Sequence, residues 1–186
     1  EQGSLGIDGD RAMRDAASAM RALRAAVADA SRDPSTALAA IARSLIDDEL
    51  ASNAAVFLFG GIETTEGMIS NLLLHLLANP VQLAAVAADR SLVDAAIEES
   101  LRLEPAVARV DRYATGATEL AGCAIGAGDF VVVSLSGANR DPEVYTRPHE
   151  FDIARSGVAA HLAFVQGPHA CIGAQLARLE ARAAVH

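Results

Sequence analysis

Positive charge, aromatic residues and cysteine are all scarce in this sequence. The formal net charge is -9 at pH 7 and the pI is near 4.9. A nucleic-acid-binding surface needs a surplus of lysine and arginine to neutralise phosphates, so we exclude that class of partner. Aromatic residues make up 4% of the chain and tryptophan is absent, whereas hydrophobic residues reach 52%, so a core has to be built mainly from Ala, Leu, Val and Ile. This balance favours packed helices.

The only two cysteines, Cys123 and Cys171, are far apart and show no Cys-x-x-Cys spacing. This arrangement indicates neither a disulfide framework nor a zinc knuckle, and a reducing cytoplasmic location is expected. Long hydrophobic runs are also absent. The longest, residues 54–62, ends at Glu63 and is much shorter than the ~20 residues that a membrane-spanning helix needs. We therefore expect no contact with a membrane.

Hydrophobic periodicity is abundant. Apolar residues recur at three- and four-residue spacing through most of the first 103 residues, which is typical of amphipathic helices, and Asp33-Pro34 indicates a helix start. Short β-prone pieces broken by glycines follow between Val107 and Leu135 and predict a small antiparallel sheet. Helices are expected at about residues 8–30, 34–44, 47–78, 81–88, 92–103 and 172–186, with an irregular region at 138–165. The predicted fold class is mainly α with a small antiparallel β-sheet, in a single domain over residues 1–186.

The strongest local signal surrounds Cys171, which lies between Gly167 and Gly173 at the predicted start of the last helix. Backbone amides at a helix start favour the thiolate, which is the form of cysteine that ligates iron. The two glycines would let a flat ligand approach the backbone, and His169 would meet an anionic edge. The alternative is that Cys171 is one more small buried hydrophobic residue.

A second signal is the segment GGIETT, residues 60–65, inside the predicted long helix. Gly60 and Gly61 each destabilise a helix by about 1 kcal/mol relative to alanine, so the thinned helix surface needs another explanation. Glu63 and Thr64 follow directly and place a carboxyl group and a hydroxyl group beside it. The alternative is a solvent-facing polar patch with a kink.

A third signal is the pair Glu99 and Arg102. Their spacing of three residues puts both side chains on one face of a helix. By itself, this spacing indicates an ordinary surface ion pair worth about 0.3 kcal/mol.

In this order and at these separations, the three segments resemble the bacterial cytochrome P450 family. GGIETT is similar to that family's oxygen-activating helix segment, and Glu99-Ser100-Leu101-Arg102 is similar to its E-x-x-R element. Arg155 falls where the family supplies a further arginine for that pair. FVQGPHACIG, residues 164–173, is similar to the family's haem-thiolate loop.

The resemblance implies a haem-thiolate monooxygenase fold, with haem b as the cofactor and Cys171 as the axial ligand of the iron. Glu63 and Thr64 would deliver protons, while Arg112 and two histidines would face the haem propionates. One oxygen atom of O2 would be inserted into an apolar small-molecule substrate, with electrons from ferredoxin and ferredoxin reductase or an equivalent donor. The residues implied to bind the cofactor are Gly60, Gly61, Arg112, His161, Phe164, Gly167, His169, Cys171 and Gly173.

The sequence departs from the family pattern in several respects. Val165 stands where the family has a second glycine, and Ile172 stands where leucine is common. The chain also corresponds only to the C-terminal half of the family's fold and opens with Glu1 rather than methionine, so we interpret it as a truncated, partial domain. This leaves an alternative function open: a non-catalytic remnant that binds haem or a partner protein without turnover.

Two other interpretations also stay open. One is a metal site, although the spacing of its ligands is unlike that of a zinc finger. The other is an alanine-rich structural domain, which would leave all three signals unexplained together. Arg178 and Arg182 on the last helix are expected to form a solvated face that could contact the electron donor. The candidate metal ligands are Cys123, His161, His169 and Cys171.

Overall fold

The computed structural model describes residues 9–185, which divide into two compact units on either side of the Gly60-Gly61 peptide bond. The single domain predicted for residues 1–186 stays a prediction. Helices dominate and the strands form short antiparallel pairs, so the predicted fold class is confirmed. Glu1, Asp8 and His186 lie outside the described residues.

The first unit has a small apolar core contributed by its helices. Val27, Leu50 and Ala54 are buried, and leucines such as Leu23 and Leu38 pack against them. The periodicity that predicted the first helix is therefore confirmed near the C-terminal end of that helix, whereas Met13 near its start is exposed. The helices of this unit are α1 (Gly9–Ala30), α2 (Ala37–Ile41) and α3 (Asp47–Gly61), of which the last residue of α3 belongs to the second unit.

The start of α2 differs from the prediction. The hydroxyl oxygen of Thr36 accepts the Ala39 N–H at 3.1 Å and caps the helix. Asp33, the predicted N-cap residue, instead accepts the N–H of Ser35 at 2.9 Å. A side chain that bonds to the backbone two residues later closes a turn, so the helix begins only after that turn.

The long helix predicted from Asp47 to Ala78 is interrupted at Ile62. α3 ends at Gly61, α4 (Glu63–Ala78) follows, and Ile62 between them has φ −82° and ψ −70°. Because two consecutive glycines each lower helix stability by about 1 kcal/mol, the chain departs from helical geometry most easily beside them. The prediction of a continuous helix is therefore wrong at this position.

In the second unit, α8 (Ala174–Ala184) packs against α4 and α6 (Val93–Leu103), and α5 (Pro80–Ala88) packs against α4. Ala181 of α8 has 0% exposure, and its small side chain lets neighbouring helices approach closely. α8 begins slightly later than the predicted Ile172. The buried core residues are Met68, Leu72, Leu76, Val86, Val93, Ala96, Ile97, Leu101, Leu103, Phe151 and Ala181.

The strands of this unit form two separate antiparallel pairs rather than one sheet. Tyr113 lies opposite Phe130 in one pair, and Leu120 lies opposite Cys123 in the other. The region predicted to be irregular, residues 138–165, is mostly without regular structure and contains one 3-10 turn at Val158–Ala160, as expected. The strands are β1 (Arg109–Tyr113), β2 (Thr118–Leu120), β3 (Cys123–Ile125) and β4 (Phe130–Ser134), and the short helix α7 (Leu135–Ala138) follows β4.

Among the described residues, no single helix is both long and apolar enough to cross a membrane. Asp47–Ala78 and Pro80–Ala88, bent by 106° relative to each other, meet that requirement together, by length and composition only.

Glu99 and Arg102 of α6 form a buried ion pair. Both side chains have 0% exposure, and two parallel hydrogen bonds of 2.8 Å join the guanidinium group to the carboxylate. Arg155 donates from Nε to the same carboxylate at 2.9 Å. The further arginine implied by the resemblance is therefore confirmed, and the interpretation of Glu99 and Arg102 as a surface pair is wrong.

The same guanidinium group also fixes the irregular region. Arg102 Nη1 donates to the carbonyl oxygens of Asn139 and Pro148, both at 2.8 Å, and Nη2 donates to that of Glu150 at 3.1 Å. Buried backbone carbonyls need hydrogen-bond partners, and this stretch has few regular ones. One side chain of α6 thus holds a long piece of irregular backbone in place.

We expect Arg102→Ala to lower the free energy of unfolding by about 3 kcal/mol, since it leaves a buried carboxylate with a single arginine and removes the Arg102 donor from the carbonyls of Asn139 and Pro148. Urea denaturation followed by circular dichroism measures this change. The control is Arg109→Ala, because the Arg109–Asp111 pair is exposed and 4.0 Å apart. Arg109→Ala should change the value by less than about 0.5 kcal/mol. A loss for Arg102→Ala no larger than that of the control would contradict the role of Arg102.

Candidate functional site

The loop before α8 folds back so that Cys171 meets Phe164. The Cys171 N–H donates to the Phe164 carbonyl at 3.0 Å, and the Ala170 N–H donates to the Gly167 carbonyl at 3.0 Å. A 3-10 turn at Gly167–His169 lies between these points. Because these bonds close the loop, the backbone position of Phe164 fixes that of Cys171.

The side chain of Cys171 is exposed and uncrowded. A Cβ placed on Gly173 would lie 3.8 Å from the Cys171 sulfur, so the glycine keeps the flank of the thiol bare. Gly173 is also the N-cap of α8 and carries no capping side chain. The first amide of α8, that of Ala174, donates to the Cys171 carbonyl at 3.3 Å. The alternative of a buried structural cysteine is excluded by this exposure.

Two residues of the loop adopt left-handed backbone conformations. Gly167 has φ +83°, which glycine adopts without penalty. Val165 has φ +51°, a conformation in which the Cβ of an L-residue is crowded by the backbone, and β-branching makes it a rare outlier. The valine that replaces the family's glycine therefore strains the loop.

Phe164 contacts a charged cluster that joins α6 to α8. The Arg178 guanidinium carbon lies 4.7 Å from the centroid of the Phe164 ring, and Arg178 donates to both carboxylate oxygens of Glu98, at 2.5 and 2.9 Å. Burial opposes ionisation of Glu98, but hydrogen bonds from Arg178 and His161 outweigh it and lower the pKa of Glu98 to about 2. The hydrogen bonds that Arg178 donates to Glu98 also raise the pKa of Arg178. We name Glu98, His161, Arg178 and Phe164 the α6–α8 cluster.

His161 is placed differently from its predicted role. Its side chain is 2% exposed, Nε2 lies 3.1 Å from the Glu98 carboxylate, and Nδ1 accepts the Ala163 N–H at 3.2 Å. Because both ring nitrogens have partners inside the fold, neither is available to a haem propionate. The expectation that His161 binds a propionate is corrected to a structural role.

His169 and Arg112 are both exposed. Arg112, on β1, donates from Nη1 to the Asp111 carbonyl at 2.8 Å. Within the part of the chain that the structure describes, neither side chain pairs with an acidic group. Both are thus available to bind an anionic group, which agrees with their predicted roles without testing them.

Glu63 and Thr64 form the first turn of α4, where Glu63 is exposed and Thr64 half-buried. A carboxylate at this position is favoured by the positive end of the helix dipole. A Cβ placed on Gly60 or on Gly61 would meet no atom of the described residues within 4 Å. The glycine pair therefore leaves open space at the surface of its helix.

The alternative metal site is not assembled. No group of three or more metal-ligating side chains occurs among residues 9–185. Cys123 is exposed on β3, and both nitrogens of His161 are engaged. The four proposed ligands therefore do not form a zinc-type centre.

The pairing of α6 with α8 was not predicted from the sequence. Arg178 and Arg182, expected to be a solvated face, pair with Glu98 and Asp94 respectively, the second pair at 2.7 Å. The signal was present: the acids and the arginines are each spaced by four residues, which puts each pair on one helix face. Recognising that these two faces meet requires the tertiary fold.

We expect Val165→Gly to raise the free energy of unfolding by about 1 kcal/mol, because glycine removes the left-handed strain and only a half-buried side chain is lost. Thermal or urea unfolding measures the change. The matched control is Val132→Gly on β4, which makes the same change in a strand and should lower stability by about 1 kcal/mol. A decrease in both variants would show that Val165 is not strained.

The family model for cytochrome P450 matches residues 12–186. The cytochrome P450 monooxygenase PikC of Streptomyces venezuelae is 49% identical over 142 residues, which cover 76% of this chain and 34% of that protein. The biotin biosynthesis cytochrome P450 of Bacillus subtilis is 40% identical over 142 residues, covering 76% of this chain and 36% of that protein. The chain thus spans about a third of the length of these relatives.

Solved structures show the same likeness. The ligand-free P450 monooxygenase TamI superposes with a TM-score of 0.84 at 41% identity, covering 95% of this chain and 45% of that one. Ligand-free cytochrome P450 TbtJ1 gives a TM-score of 0.89 at 34% identity, covering 96% of this chain and 50% of that one. With matches in sequence and fold over nearly its whole length, the chain belongs to the cytochrome P450 family.

Proposed function

We propose that this chain is the haem-thiolate part of a cytoplasmic monooxygenase that inserts one oxygen atom of O2 into an apolar small-molecule substrate. The observation that carries the proposal is the exposed thiol of Cys171, in a loop closed onto Phe164 at the start of α8. Because the chain spans only about a third of its curated relatives, the activity belongs to the proposal rather than to the family assignment.

The side chains present fit a haem b group. Cys171 offers a sulfur ligand with an open flank, and a soft thiolate is a suitable ligand for iron. Arg112 and His169 would each take a propionate, since neither has an acidic partner within residues 9–185. Gly167 and Gly173 keep the loop backbone free of side chains that would obstruct a flat ring.

When bound, haem supplies a reducible iron at which dioxygen is activated, and a thiolate ligand favours cleavage of the O–O bond. The polypeptide itself would bind and orient the haem and the substrate, and it would supply protons. Glu63 is exposed and can exchange protons with solvent. The half-buried hydroxyl of Thr64 would then transfer a proton from Glu63 toward the substrate pocket. Gly60 and Gly61 would provide room beside that hydroxyl.

The electrons would come from ferredoxin and ferredoxin reductase or an equivalent donor. Arg178 and Arg182 are weaker candidates for the contact with that donor than their sequence suggested, because both are paired with acids of α6. One similar structure, P450BioI, is described in complex with an acyl carrier protein carrying a fatty acid. A carrier-bound apolar chain is thus one form that the substrate could take.

We expect Cys171→Ser to abolish the thiolate-type absorption band of the ferrous carbon monoxide complex, because an alcohol is a poor replacement for a thiolate ligand. The 186-residue chain is mixed with haem, reduced and exposed to carbon monoxide. Cys123→Ser removes the other exposed thiol and should leave the band unchanged. A band that persists in Cys171→Ser would remove Cys171 from the site. Haem uptake by the unaltered chain without substrate oxidation would favour the non-catalytic alternative.

Thr64→Ala should retain haem binding but yield ~10-fold less product per electron pair, with the remainder released as hydrogen peroxide, since proton delivery is misdirected. Product and peroxide are measured against electron-donor consumption. Thr65→Ala removes the neighbouring hydroxyl and serves as the control. Equal coupling in the two variants would exclude Thr64 from proton delivery.

A further inference from the structure

The guanidinium group of Arg178 lies between an acid on one helix and an aromatic ring in the Cys171 loop. It donates to both carboxylate oxygens of Glu98, at 2.5 and 2.9 Å, and its central carbon is 4.7 Å from the Phe164 ring centroid. The Arg178 side chain is 25% exposed and that of Glu98 is 19% exposed. A partly buried, bidentate pair is geometrically specific, so the guanidinium plane has little freedom to move.

His161 further restricts this arrangement. Since Nδ1 accepts the Ala163 N–H, the ring proton belongs on Nε2, which then donates to Glu98 at 3.1 Å. Glu98 therefore accepts three hydrogen bonds, and all of its donors are fixed in the fold. Its carboxylate keeps the orientation that holds Arg178 against Phe164.

The cluster ends at the point where the loop is strained. The Phe164 carbonyl accepts the Cys171 N–H at 3.0 Å, and the next residue, Val165, has φ +51°. A β-branched residue persists in this conformation only where its surroundings enforce it. Two restraints lie on the N-terminal side of Val165. The Val165 N–H donates to the Leu162 carbonyl at 2.9 Å. Phe164 in turn contacts Arg178 and the apolar core.

We propose that Arg178 is a positioning residue for Cys171. By holding Phe164, it keeps the strained loop in the conformation that presents the thiol, before any ligand is bound. The consequence for an iron ligand rests on the proposed haem-thiolate function, whereas the positioning of the loop does not.

A neighbouring ion pair provides a matched comparison. Arg182 of α8 pairs with Asp94 of α6 at 2.7 Å, so it also joins these two helices. Arg182 lies one turn further along α8. Only Arg178 stacks on an aromatic ring of the loop. A general weakening of the α6–α8 contact would affect both pairs alike, whereas loop positioning depends on Arg178 alone.

The test is hydrogen–deuterium exchange of the haem-free chain, read at the Cys171 amide. Arg178→Gln should raise its exchange rate about 10-fold, because the hydrogen bond to Phe164 opens more often, while amides of α6 change little. Arg182→Gln should leave the Cys171 amide within about 2-fold of the unaltered chain. Equal rates in the two variants would overturn the proposal.

Removing the backbone strain at Val165 provides a second, independent test of the proposal. In a Val165→Gly background, where the loop no longer needs enforcement, Arg178→Gln should raise the exchange rate less than 3-fold. A full 10-fold effect in that background would show that the cluster does not counter the strain. If Arg178→Gln proves unfolded, Arg178→Lys decides, because lysine keeps the charge but lacks the planar fork. Loop exchange in Arg178→Lys equal to that of the unaltered chain would then reject the proposal.

Haem addition separates this proposal from the proposed function. In Arg178→Gln, a smaller share of the ferrous carbon monoxide complex should show the thiolate-type band, and Val165→Gly should restore that share. If the unaltered chain shows no such band while the exchange results stand, the haem-thiolate function fails and the positioning of the loop remains. If the band is present but every exchange rate is unchanged, the positioning role fails and the haem site remains.

Discussion

The second unit depends most on the ion pairs that the buried Glu99 carboxylate forms with Arg102 and Arg155. Removing a carboxylate from water is strongly unfavourable unless charge and hydrogen bonds replace the lost hydration. Arg102 and Arg155 replace it with several short bonds to a side chain of 0% exposure, and Arg102 then satisfies backbone carbonyls between residues 139 and 150. Removal of either arginine would leave the buried Glu99 carboxylate with less compensating charge.

The adjacent residue, Glu98, likewise joins α6 to other parts of the second unit. It receives Arg178 from α8 and His161 from the irregular region, and through Phe164 this cluster reaches the Cys171 loop. Two neighbouring acids of α6 therefore anchor two separate stretches of chain that lack regular hydrogen-bond ladders. The helix acts as a common scaffold, and the candidate site depends on helix positions that touch no ligand themselves.

The local patterns in the sequence predicted most helices, the irregular region and a thiol at a helix start, because each depends on residues close together in the chain. The features that the sequence did not predict depend on contacts between residues that are far apart in the chain. The spacing of Glu99 and Arg102 indicated a surface pair, and only the burial of α6 by other elements makes the pair internal. His161 looked like a ligand-binding histidine until Glu98 and the Ala163 amide were found to use both nitrogens. The helix break at Ile62 was the exception, since the glycine pair was visible and its consequence was underestimated.

The candidate site is also where the chain departs most from its local preferences. Ala121 and Arg147 are the other left-handed non-glycine residues of the described chain, with φ +49° and +51°, but neither is β-branched. Val165 is, and it lies in the loop that presents Cys171. Sequences that fold reliably agree with local preference almost everywhere, so departures tend to gather where function competes with stability. A paired glycine within a helix, a strained valine and an exposed thiol are three such departures in the segments that carry the family's chemistry. Of these departures, the strain at Val165 is particular to this chain, because the family has glycine at that position.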